Sequence, residues 1–167
     1  MVEQYIDIIN DDNEAIGKAK RDEIFKKKLL HRAIKVIIVN DKKEFLICKI
    51  PNNKMLSEDK FELGIWSEVL SEETFDDAMF RTLNESFKID APPIFIKQFR
   101  HEIESNKAIV NLYVLAYEEE LKPTKNVTLI KFVPISKVEE MCDNNEISPI
   151  SQHIFLISLE EIKELSK

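Results

Sequence analysis

The chain has 167 residues, 44% of them hydrophobic, and its 24 Lys and Arg against 31 Asp and Glu give a formal net charge of −7. That length fits a single domain over 1–167 with a full core, held without disulfides or structural metal. The acidic balance disfavours nucleic acid or an anionic membrane as the main partner, since both require clustered Lys and Arg; the opening residues lack a signal-peptide pattern and no run nears the ~20 apolar residues of a membrane span, so a cytoplasmic protein is expected.

Gln4 to Ile9 alternates and is rich in strand formers, and with the turn-like segment after it and AIGKAKR it predicts a hairpin. Lys20 to Lys28 is a basic run, read as a solvated face or short helix, with a docking patch for an anion as the other reading. Ala33 to Val39 and Phe45 to Ile50 predict two strands around Asn40 to Lys43, and the polar stretch Pro51 to Lys60 predicts a loop. Thr74 is placed to cap a helix with Asp77 three residues on, and Phe75, Met79, Leu83 and Phe87 recur along one face of it. Pro92 and Pro93 end that region. Strands are expected at Ile94 to Ile103, Ala108 to Tyr117 and Val127 to Val133, a short helix near Ser136 to Cys142, and one C-terminal helix from Pro149. Cys48 and Cys142 lack metal-ligand spacing and read as reduced thiols. Gly17 and Gly64 are the only glycines, where average usage of ~7% would give about a dozen, so no Walker loop or Rossmann turn is hidden here. Strands, a central helix, more strands and closing helices predict an α/β (α+β) fold, a sandwich rather than a doubly wound parallel sheet.

The segment Ser67 to Ile89, SEVLSEETFDDAMFRTLNESFKI, spans a loop and the predicted helix. It resembles the Nudix box: Gly, five residues, Glu, seven residues, Arg-Glu, an aliphatic, any residue, Glu-Glu, any residue, Gly, an aliphatic. Ser67 falls on the first Gly, Glu73 on the first Glu, Arg81 on the Arg and Thr82 on the Glu after it; Leu83 is the aliphatic, Glu85 and Ser86 the Glu-Glu pair, Lys88 the last Gly and Ile89 the final aliphatic. The leader YIDIINDDNEAIGKAKR and Leu30-His31-Arg32-Ala33 resemble the branch that holds isopentenyl-diphosphate isomerases and their hydrolase relatives. The resemblance implies a Nudix-type α/β/α sandwich with a mixed central sheet. It also implies a hydrolase of diphosphates linked to another moiety, with Mg²⁺ or Mn²⁺ as cofactor if active and a small diphosphate or nucleotide as substrate.

In that family the Glu after the Arg and the Glu-Glu pair hold the metal from one helix face, whereas Glu73 and Arg81 stand at positions that tie the loop to the helix. Here the face carries Thr82, Glu85 and Ser86, and neutral hydroxyls are poor ligands for a hard divalent cation. The first reading is therefore a Nudix fold with hydrolysis weakened or lost, serving as a binding or interaction module. The second is an active hydrolase with a rebuilt site, in which Glu85 is catalytic and binds metal with Glu68 or Glu72 and His31. A third, a structural subunit or homodimer, needs no small ligand. Isomerase chemistry is disfavoured: the catalytic Cys of that branch aligns near Trp66, its second metal His near Glu68, and Ala108 to Leu112 supplies no carboxylate. Trp66 is expected to pack in the core, or to stack on a substrate base. His101 and His153 show no catalytic spacing and read as ordinary histidines.

Overall fold

A computed structural model describes residues 3–51 and 59–167, so most of the loop expected at Pro51 to Lys60 lies outside the described residues. The predicted hairpin is β1 (Tyr5–Ile9) against β2 (Ala15–Lys20), followed by α1 (Arg21–Lys26) within the basic run. Ile6, Ala19 and Ile24 form a small core of their own, and Ile6 bridges to Leu70.

The centre of the molecule is β3 (Leu30–Val39), whose residues from Ala33 to Val39 are all buried. A strand covered on both faces needs a nearly continuous apolar run, which Ile34 to Val39 supplies with Lys35 as the exception. It pairs in parallel with β8 (Asn106–Ala116) and antiparallel with β6 (Ile65–Glu68). The sheet runs β5 (Glu62–Leu63), β4 (Phe45–Lys49), β3, β8, β7 (Ile94–Ile103), with β6 also on β3 and β9 (Leu129–Val133) on β4. Parallel and antiparallel ladders coexist, so the sheet is mixed. Side-chain alternation then divides the core. Ile34, Val36 and Ile38 pack with Met79, Leu83 and Phe87 of α2 (Phe75–Phe87). Ile37 packs on the other face with residues of α3 (Ile135–Asp143), α4 (Pro149–Ile157) and α5 (Leu159–Leu165), which completes an α/β/α sandwich. Among the described residues no helix is long and apolar enough to cross a membrane.

The α2 boundaries follow the predicted caps. Thr74 Oγ1 accepts from the Asp77 amide and the Asp77 carboxylate accepts from the Thr74 amide, each at 3.0 Å, a reciprocal capping box. The helix stops at Lys88, whose φ of 58° is left-handed. Two strands escape the sequence pattern because they are short: β5 and β6 flank Gly64, where φ is +66° and a Cβ would lie 2.1 Å from the Val36 carbonyl oxygen. The expected single C-terminal helix is two helices. Its break falls at buried Ser158, and Lys97 of β7 donates to the Ile157 carbonyl at 2.7 Å while pairing with Glu161 at 2.8 Å, so the broken turn keeps a partner.

Beneath α4 lies a polar cluster that periodicity does not reveal. Lys35, fully buried, donates to Ser151 Oγ at 3.1 Å; Ser151 and Ser148 each donate to Glu62, at 2.6 and 2.7 Å. Burial lowers the Lys35 pKa, opposed by the Glu62 charge. Nearby, His101 Nδ1 lies 2.8 Å from His153 Nδ1, so β7 and α4 are joined by an imidazole pair rather than by two independent histidines. Burial, reinforced by the His153 and Lys35 charges, pushes His101 down to about 4.

Two measurements check these features. Gly64→Ala is expected to destabilise by at least ~2 kcal/mol, because a left-handed Cβ residue alone costs roughly 1–2 kcal/mol and this Cβ also overlaps backbone; Lys88→Gly is expected to stabilise by about 0.5–1 kcal/mol, both read by urea unfolding. The folded His101 binds fewer protons than the unfolded one, whose pKa is about 6.5. Its contribution is present above that pH and is lost as pH falls from 6.5 towards 4. Across that window the wild type is expected to lose more thermal stability than His101→Asn.

Candidate functional site

The candidate site starts from a clamp between the loop after β6 and the helix that follows it. Glu73 Oε1 accepts from the Leu70 amide at 2.8 Å and from Arg81 Nη2 at 2.9 Å, while Oε2 accepts from Arg81 Nε at 2.8 Å. Arg81 Nη2 also donates to the Glu68 carbonyl at 3.0 Å. Burial opposes the Arg81 charge, but the Glu73 hydrogen bonds together with the charges of Glu73, Glu85 and Glu68 outweigh it and raise the pKa. A bidentate guanidinium–carboxylate pair fixes orientation as well as distance. The loop is thereby held against the second turn of α2.

That clamp leaves a cleft of about 420 Å³ beside α2, floored by Ile65, Trp66 and Ser67 of β6 and by Thr82, Glu85 and Ser86 of the helix. Arg21, Arg81 and Lys125 border it, and Asn126 closes one side. The segment carrying Lys125 is seated on the end of α2: Thr124 Oγ1 donates to the Ser86 carbonyl at 3.0 Å and Asn126 Nδ2 to the Glu85 carbonyl at 2.9 Å. These side chains satisfy carbonyls that a helix C-terminus leaves without intrahelical partners.

The residues singled out by sequence separate into two groups. Glu85, Trp66 and Arg81 line the cleft. Glu85 is half-exposed and lies 3.7 Å from Arg81 Nη1. Trp66 is only 7% exposed; it packs with Ala33, Val110, Ile150 and Ile154, with its ring 5.4 Å from that of His101. The others are placed elsewhere. Glu68 pairs with Arg21 at 3.2 Å. His31, buried on the face of β3 that carries Ala33 and Lys35, has Nδ1 3.0 Å from the Leu29 carbonyl, and burial lowers its pKa. Glu72 is an exposed turn residue with φ of 73°. Among the described residues no three of His, Cys, Asp and Glu gather as a metal-binding group. Thr82 Oγ1 donates its proton to the Ala78 carbonyl at 2.7 Å, within the helix.

Arg21, Lys125 and Asn126 are the cleft residues that sequence reasoning did not single out. Arg21 sits in the basic run, where an anion-docking patch was one of two readings. Lys125 lies on a loop with no regular period, and only its tertiary seat on α2 brings it to the cleft. Because Glu73 and Arg81 form one unit, their single substitutions to Ala are expected to be strongly non-additive. A double-mutant cycle should return a coupling of about 2 kcal/mol in chemical unfolding, within the range for charged hydrogen-bonded pairs.

No protein-family model matches the chain, and no curated protein sequence is significantly similar to it. Solved structures are similar in fold. The Deinococcus radiodurans protein DR0079 superposes with a TM-score of 0.77 at 14% identity, over 90% of this chain and 96% of that one. The MutT protein of Methanosarcina mazei Go1 gives 0.66 at 18% identity, over 83% and 96%. A bifunctional NMN adenylyltransferase/ADP ribose pyrophosphatase of Francisella tularensis, solved with AMP and a manganese ion, gives 0.61 at 16% identity, over 78% of this chain and 41% of that one. With its mixed sheet between helices and its clamped loop and helix, this chain has the Nudix/MutT hydrolase fold.

Proposed function

We propose that this protein uses the Nudix/MutT fold to bind a phosphate-bearing small molecule in the α2 cleft, and that metal-dependent hydrolysis of diphosphates is weak or lost in it. One observation carries the reading: the helix face turned to the cleft presents Thr82, Glu85 and Ser86, a single carboxylate between two hydroxyls. Mg²⁺ and Mn²⁺ are hard cations that favour carboxylate and water oxygens in near-octahedral sets. Thr82 has already committed its proton within the helix, Glu85 leans towards Arg81, and among the described residues no second acid lines the cleft. These residues do not fit a carboxylate-held pair of metal ions, and no hydrolytic step is routed through one.

What supports binding is the frame that remains. The Glu73–Arg81 clamp is complete, and the cleft it shapes is open and edged with cations. The ADP ribose pyrophosphatase named above suggests nucleotide-like diphosphates as the first ligands to try. A rebuilt hydrolytic site drawing on Glu85, Glu68, Glu72 and His31 is disfavoured by their placement. Glu85 lines the cleft, whereas Glu68 is held by Arg21, His31 is buried within β3 and Glu72 is an exposed turn residue.

The test is release of phosphate or pyrophosphate from nucleoside, dinucleotide, sugar and isoprenoid diphosphates with Mg²⁺ or Mn²⁺, run beside Glu85→Gln. No turnover above the buffer rate is expected from either protein. Steady turnover that disappears in Glu85→Gln would restore the working-hydrolase reading.

A further inference from the structure

The cleft carries cations of its own, and its balance of charge has a direct consequence. Among the described residues, three cations line the cavity against one carboxylate, in a protein whose net charge is −7. Arg21 and Arg81 are each held from behind by an acid, Glu68 at 3.2 Å and Glu73 at 2.8 Å, which fixes their guanidinium groups but offsets part of their charge. Lys125 is different. Among the described residues it makes no ion pair, and the Thr124 and Asn126 bonds to α2 hold the backbone on either side of it. The Arg81 atom nearest Glu85, Nη1, is 3.7 Å from the carboxylate, beyond hydrogen-bonding reach. Ser86, buried in the wall, adds a hydroxyl.

We propose that the cleft binds the phosphate group of its ligand directly, without a divalent cation, through Lys125 and the Arg21 and Arg81 guanidinium groups, with Glu85 as the opposing charge that limits affinity. This rests on the binding reading above and adds its chemistry. In a metal-bridged site a carboxylate attracts the phosphate through the ion, so removing it weakens binding. In a site built of cations the same carboxylate repels the phosphate, so removing it strengthens binding. The sign of the Glu85→Gln effect therefore separates the two.

The experiment is calorimetric titration of the full chain with inorganic pyrophosphate, in EDTA and again in excess Mg²⁺, for wild type, Lys125→Ala and Glu85→Gln. Both substituted residues are exposed, and unfolding midpoints confirm that each variant folds. The expected result is binding in EDTA, weakened roughly three- to tenfold in Lys125→Ala, tightened roughly threefold in Glu85→Gln, and weakened by added NaCl, as charges a few ångströms apart at a wetted surface require. Binding that needs Mg²⁺ and is lost in Glu85→Gln would overturn the proposal, and if hydrolysis were still absent it would leave the non-hydrolytic reading standing. No binding in either buffer would also overturn it. Turnover in Mg²⁺ would instead overturn the broader reading from which it starts.

Discussion

The bidentate Glu73–Arg81 pair is the interaction on which the cleft depends. Its carboxylate also accepts from the Leu70 amide, and its guanidinium also donates to the Glu68 carbonyl, so one pair satisfies two main-chain groups where the loop leaves β6. Charged hydrogen bonds of this kind contribute roughly 1.5–3 kcal/mol each when well formed, more than an exposed ion pair does. Their greater effect is geometric. With the loop and α2 locked together, β6 and the helix line one cavity. The clamp belongs to the scaffold and requires no metal, which is how a chain can keep the fold while the chemistry of its cleft changes.

The sheet beneath makes the clamp possible. β3 is paired on both edges and covered on both faces, and a residue such as Ile34, Val36 or Ile38, wholly buried, stabilises by roughly 1.5–3 kcal/mol. Such a core tolerates few polar side chains. Lys35 is admitted because Ser151 and Glu62 sit beside it, and the same contacts attach α4 to the sheet. The hydroxyl relay satisfies partners that an isolated buried ammonium or carboxylate would lack, and leaving either one alone would cost several kcal/mol, on the order of 3–5. The polar cluster behind the sheet thus holds the helical layer in place.

Legibility in the sequence followed the range of the forces involved. The capping box at Thr74, the apolar period of α2 and the long strands are local patterns, and the structure has them at nearly the predicted residues. The spacing of Glu73 and Arg81 was equally legible because both lie within one loop and helix. What escaped was tertiary. β5 and β6 are too short to show a period, and the break at Ser158 depends on Lys97 reaching from β7 to the exposed carbonyl of Ile157. Lys35, Glu62 and Ser151 are far apart in sequence, as are His101 and His153. Lys125 reaches the cleft because Thr124 and Asn126 rest on α2. The acids collected from sequence proximity stand on different elements: Glu68 on β6, paired with Arg21, Glu72 in a turn, and Glu85 on α2 beside Arg81.

The dependence of the cleft on divalent metal can be measured without any substrate. Mn²⁺ binding to the purified chain, followed by electron paramagnetic resonance of the free ion with Glu85→Gln as the control, examines the site directly. Only non-saturating uptake, the same in both proteins, is expected. A stoichiometric Mn²⁺ site that Glu85→Gln abolishes would mean that the cleft assembles a metal centre after all, and the chain would then be a working member of the hydrolases whose fold it shares.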